Sequence, residues 1–166
     1  MSAAVYALMI GLSRQFHHSG QLLGDGPAVV RLALLITFNL LGYALMIPTH
    51  EAAHALVILA LGGRPRFGLK FPLAAYCTAP NQLFLRNGYL SIALAPLVIL
   101  SIVALIIAAL APDVATWLLL AVAGNVSGAV GDLEVVRGIA SLQEDALVAD
   151  LETGYIAYHV VESQDA

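Results

Sequence analysis

One stretch limits the folds open to this chain more than any other. Residues 28–62, AVVRLALLITFNLLGYALMIPTHEAAHALVILALG, are apolar almost throughout. As a continuous helix they would be about 50 Å long at 1.5 Å per residue. A bilayer core is about 30 Å thick, so such a helix crosses it and must also tilt, kink or protrude. Pro48 supplies a kink, because it has no N–H for the carbonyl of Ala44. Gly62-Gly63 supplies the stop. Inside this run lies His50-Glu51-Ala52-Ala53-His54, an H-E-x-x-H pattern. Residues four apart share a helix face, so His50 and His54 can aim two imidazoles at one metal ion. Glu51 lies about 100° round the helix and can reach water at an open coordination position. Nitrogen ligands, an open position and a nearby carboxylate are what a zinc hydrolase requires. Random placement of the histidines and glutamates present would produce this spacing in about 0.4 per cent of chains.

Composition supports a lipid setting. Apolar residues make up 60% of the chain and charged residues 11%, with a mean hydropathy of +0.88. Soluble domains carry about 25 per cent charged residues, so this chain is expected to bury apolar surface in the bilayer. The net charge of −4 offers no basic footprint for nucleic acid, and none is expected as a partner. The single cysteine, Cys77, has no internal disulfide partner and reads as a packing residue.

The spacing predicts an all-α integral membrane protein. Three transmembrane helices are expected at about 30–62, 88–111 and 114–138, with Pro96 kinking the second. Residues 1–27 read as an N-terminal interfacial or loop segment, with the adjacent His17-His18 pair on a surface loop. Residues 28–139 form the membrane core. Residues 140–166 form a soluble acidic tail containing a short strand near Tyr155–Tyr158. Between the first two spans, residues 64–86 change character. Arg66-Phe67-Gly68-Leu69-Lys70-Phe71 roughly alternates polar or small with apolar, as a short β-hairpin-like loop would. Phe67, Gly68 and Leu69 then offer a strand edge that can hold an extended peptide, or the loop is an ordinary membrane-surface segment with aromatic anchors.

The third span is unusual for Asn125, Gly128, Gly131, Asp132 and Glu134. An aspartate within a span needs a partner and marks a functional site by default. Asn125 and Asp132 are two turns apart and share a face. Basic residues are biased too: Arg64, Arg66, Lys70, Arg86 and Arg137 fall on the side of the 64–86 loop and the tail, against Arg14 and Arg31 on the other. That asymmetry makes the loop-and-tail side cytoplasmic in a multi-pass cell-membrane protein. His54 and Asp132 then lie at similar depths below that surface, so His50, His54 and Asp132 can meet as three zinc ligands.

With those residues in view, the chain resembles the site-2-protease-like intramembrane metalloproteases, in which H-E-x-x-H on one span and an aspartate on the second span after it bind zinc. The matching residues are His50-Glu51-x-x-His54 and Gly131-Asp132-Leu133. It is more closely similar to a small family described as putative zincin peptidases. That likeness is carried by Phe67-Gly68, Tyr76-Cys77, Ala95-Pro96-Leu97, Gly131-Asp132-Leu133, Asp150 and Thr153-Gly154. The larger group has Asn eight residues before Asp, a proline between them, and Gly after. Here Asn125 is seven before Asp132, no proline intervenes, and Leu133 follows.

The resulting expectation is a zinc-dependent intramembrane metalloprotease. Zn2+ is held by His50, His54 and Asp132, Glu51 takes the proton of the attacking water, and the substrate is a membrane protein or peptide. Asn125 is a candidate second donor to the oxyanion or a support for a ligand. Two other classes stay open: a non-catalytic zinc-stabilised membrane scaffold, and a component of an ion pathway or transporter.

Overall fold

The computed structural model describes residues 27–70, 74–151 and 154–159, so the expectations for residues 1–26, His17-His18 included, lie outside the described residues. In chain order the elements are α1 (Ala28–Ala60), β1 (Arg66–Lys70), β2 (Ala74–Thr78), β3 (Leu83–Leu85) and α2 (Arg86–Leu110). A short α3 (Pro112–Ala115) and a 3₁₀ turn (Thr116–Leu118) lead into α4 (Leu119–Ala140), and β4 (Leu147–Leu151) and β5 (Gly154–Tyr158) follow. Among the described residues, α1, α2 and α4 are long and apolar enough to cross a membrane.

The all-α class is corrected by five strands in two antiparallel sheets. The first is the expected hairpin, β1 with β2, in the register Phe67↔Cys77 and Gly68↔Tyr76. The second has the order β3-β4-β5 and takes in the region expected as a tail. Leu83 pairs with Ala149, and Asp150 with Tyr155. The tail's strand pattern is short and its partner β3 lies across two helices in sequence, so local patterning could not announce the pairing.

Residues divide into two compact units, Met1–Met46 with Ser101–Gly124, and Ile47–Leu100 with Asn125–Ala166. In the first, Asn39 is buried and joins two helices. Its Nδ2 donates to the Leu35 carbonyl at 3.0 Å, and its Oδ1 accepts from the Leu120 N–H at 3.1 Å. Leu120 stands in the first turn of α4, where backbone N–H groups have no intrahelical partner. Asn39 therefore caps the start of α4 from a neighbouring helix. This also places the start of the third long helix at Leu119, later than the expected residue 114. Phe38 and Trp117 meet edge to face at 5.2 Å.

The second unit holds a core of Ile58, Ala79, Phe84, Tyr89, Ile92, Ile139 and Val148. The C-terminus of α1 is closed by glycine. Gly62 has φ 79°, and the Gly63 N–H reaches back to the Ile58 carbonyl at 2.8 Å. Arg86 crosses to the end of α4, where its Nη2 donates to the Ala140 carbonyl at 2.7 Å and its Nε to that of Ile139 at 3.4 Å. A guanidinium there satisfies carbonyls that the helix end leaves open.

Candidate metal centre

About three and two turns of helix before Gly62, His50 and His54 are both buried. Their rings lie with centroids 5.3 Å apart, as the i, i+4 spacing requires. Asp132 of α4 closes the set. Its Oδ2 is 3.1 Å from His50 Nε2 and its Oδ1 is 3.5 Å from His54 Nε2. One donor atom from each of the three residues lies within 4.8 Å of the others. The spacing can be tested against a metal. Two ligands each about 2.0–2.1 Å from tetrahedral zinc stand about 3.3 Å apart. The observed 3.1 and 3.5 Å, one to each carboxylate oxygen, fall on either side of that figure, and with all three donors within 4.8 Å of one another the set closes on zinc by movements of up to about 1.5 Å.

Both imidazoles are held by their other nitrogen. His54 Nδ1 is 2.8 Å from the Ile92 carbonyl, which can only accept, so Nδ1 carries the proton and Nε2 keeps its lone pair. His50 Nδ1 faces Asn125 Oδ1 at 3.2 Å, while Asn125 Nδ2 faces the Pro96 carbonyl at 3.5 Å. With the amide turned that way, His50 donates from Nδ1 and also presents a free Nε2 to the ligand point. Asn125 is thus placed against a ligand's far side. Behind His50 lies Gly128, where an added Cβ would sit 3.2 Å from His50 Cε1. At Gly131 an added Cβ would meet nothing within 4 Å.

Glu51 points elsewhere, as its place round the helix dictates. Its carboxylate lies beside the Cys77 backbone N–H. In an antiparallel pair, successive N–H groups of a strand point alternately toward and away from the partner. The Cys77 N–H shares its edge with the Ala79 N–H two residues on, the outer edge of β2 away from β1. The Ala79 N–H donates to Asp150 Oδ2 at 2.8 Å. Asp150 Oδ1 accepts from the Tyr89 hydroxyl at 2.6 Å. One carboxylate thus lies beside the Cys77 N–H of β2, and another accepts from the Ala79 N–H just beyond the strand.

Phe67, Gly68 and Leu69 lie on β1, the other strand of that sheet, with Phe67 62% and Leu69 86% exposed. Gly68 lies under the Tyr76 ring, where a Cβ would collide. The Cys77 thiol is outside the ligand cluster. Burial first, then the charges of Glu51 and Asp150, push it up to about 12, so it is a neutral thiol at physiological pH. The roles of Tyr89, Ile92 and Asp150 have no signal in local spacing, because each depends on a partner at least 38 residues away.

Comparison with known proteins gives a family match. The family model described as "putative zincin peptidase" matches residues 43–147, which contain all three candidate ligands and Glu51. No curated protein and no solved structure matches the chain.

Proposed function

Taking as premise that this chain belongs to the putative zincin peptidase family, we propose that it is an intramembrane zinc metallopeptidase acting on membrane-associated proteins or peptides. The observation that carries the reading is the convergence of His50 Nε2, His54 Nε2 and the Asp132 carboxylate at zinc-ligand spacing inside helices long enough to span a bilayer. Bound zinc supplies a Lewis acid that lowers the pKa of water at its open position.

The chain's own residues do the rest. His50, His54 and Asp132 would hold the ion. Glu51, adjacent to His50 but turned off the ligand face, takes the proton of the attacking water and returns it to the leaving amine. A peptide bond in a lipid helix hides its carbonyl in a hydrogen bond, so the substrate must be extended before attack. A sheet edge beside the base can hold it so. Of the two edges of the hairpin, that of β2 is the one at Glu51, and a peptide pairing there takes the place of the Glu51 carboxylate beside the Cys77 N–H, which leaves that carboxylate to the water. The edge carrying Phe67, Gly68 and Leu69 is the opposite one. The likeness to site-2-protease-like enzymes, a multi-pass position in the cell membrane and a cytoplasmic loop and tail belong to the same reading.

Glu51→Gln tests it, because the substitution keeps the shape and removes the base. Purified Glu51→Gln protein should hold about one zinc per chain, as wild type does, and lose about 10²–10⁴-fold of proteolysis. His54→Ala should lose both metal and proteolysis. Full activity in Glu51→Gln, with none in His54→Ala, would make the zinc a structural tie and the protein a scaffold.

A further inference from the structure

The histidines are oriented by a single turn of α2, and that turn contains a proline. In an α-helix the N–H of residue i donates to the carbonyl of residue i−4. Residue 96 is a proline, so the Ile92 carbonyl receives no bond in that register. A carbonyl left open in a buried, lipid-enclosed segment is costly and takes a donor from a neighbour. Here the donor is His54 Nδ1, at 2.8 Å. The same turn also reaches His50, since the Pro96 carbonyl faces Asn125 Nδ2 at 3.5 Å and Asn125 Oδ1 faces His50 Nδ1 at 3.2 Å. Pro96 itself is among the most deeply buried side chains described, which fixes the turn in place.

We propose that Pro96 is a positioning residue for the metal centre: by withholding its own N–H it leaves the Ile92 carbonyl to His54 and so aims the His54 Nε2 lone pair at the ligand point. The inference rests on the zinc reading above. The kink in α2 is then a by-product, and the freed carbonyl is what the site uses. Ligating histidines are oriented by the partner of their second nitrogen, and losing that partner weakens metal binding by about 10–100-fold.

The test is Pro96→Ala in the full chain, purified in detergent. Zinc affinity is measured by competition with a chelating dye, and the thermal midpoint is measured without metal. Alanine restores an N–H at position 96 that competes for the Ile92 carbonyl. The regained helix bond and the space left by the ring oppose each other, so the midpoint should stay near wild type. Zinc affinity should fall about 10–100-fold. Nitrogen-15 NMR of histidine-labelled protein reads the tautomer directly: wild type should show His54 protonated at Nδ1, and Pro96→Ala a mixture. A merely structural proline would shift the midpoint and leave the tautomer alone.

Unchanged zinc affinity in a folded Pro96→Ala protein overturns the inference and leaves the zinc reading standing. Wild type that binds no zinc removes both. If Pro96→Ala does not fold, Pro96→Gly, which also restores the N–H, takes its place with the same two outcomes, and a wild-type His54 protonated at Nε2 ends the role in either case.

Discussion

Glycine at two neighbouring positions of α4 serves different ends, and the difference can be measured. At Gly128 a methyl group would stand 3.2 Å from His50 Cε1, so either the ring or the helix must give by a few tenths of an ångström. Gly128→Ala should therefore weaken zinc binding by about tenfold through a displaced imidazole. At Gly131 the methyl enters open space. Gly131→Ala should keep wild-type zinc affinity and raise stability by about 0.5–1 kcal/mol, since glycine is costly inside a helix. Metal titration and thermal unfolding of the two variants check this, and equal zinc loss in both would show that the helix backbone, not the His50 contact, is at issue. At this scale much was legible beforehand. His50, Glu51, His54 and Asp132 follow from helical periodicity and from the cost of ionisable groups in lipid. Asn125 was marked by its shared face with Asp132, but periodicity does not say what a side chain touches. Its place against His50 came only from the partner's position. The Pro96 kink was equally plain, while the use made of the Ile92 carbonyl was not, because His54 is 38 residues away.

Among the elements, β2 carries the most consequence for chemistry. Its inner edge pairs with β1; on its outer edge the Cys77 N–H lies beside Glu51, and the Ala79 N–H just beyond the strand donates to Asp150. Asp150 also receives the Tyr89 hydroxyl at 2.6 Å, so one carboxylate of β4 ties β2 to α2. Asp150→Asn replaces an acceptor with an NH₂ donor opposite one of these two donors. Losing a hydrogen bond to a charged group costs about 1.5–3 kcal/mol, or roughly 10–100-fold in a local opening equilibrium. Hydrogen exchange across Ala74–Ala79 should accelerate by that factor, and Tyr89→Phe should produce a smaller change in the same peptides. Unaltered exchange in both variants would show that β1 and the core hold β2 without Asp150. The hairpin itself was foreseeable from the alternation at residues 66–71. The three-stranded sheet was not, because short strands pair by register and neighbours rather than by their own pattern.

Across the molecule, apolar side chains point outward along the long helices, as at Leu105, 70% exposed, and Leu110, 82% exposed. A surface of this kind in water would be an aggregation hazard, and against lipid it is the expected one. The bias of five basic residues against two predicts the orientation: a reporter fused after Ala166 should be cytoplasmic. A reporter found on the far side would reverse the whole arrangement and remove the depth argument that first joined Asp132 to the histidines. The three-stranded sheet adds an order of events. Leu83 of β3 pairs with Ala149 of β4, and the chain between them includes two membrane-length helices. At synthesis rates of about 5–20 residues per second, roughly 3–13 s separate the birth of these two strands. All three candidate metal ligands have been synthesised by residue 132, whereas the carboxylate that tethers Ala79 is residue 150. The contact that secures the strand beside Glu51 is therefore made only after every candidate ligand has been synthesised, and the hairpin is the part of this unit that is tied down last.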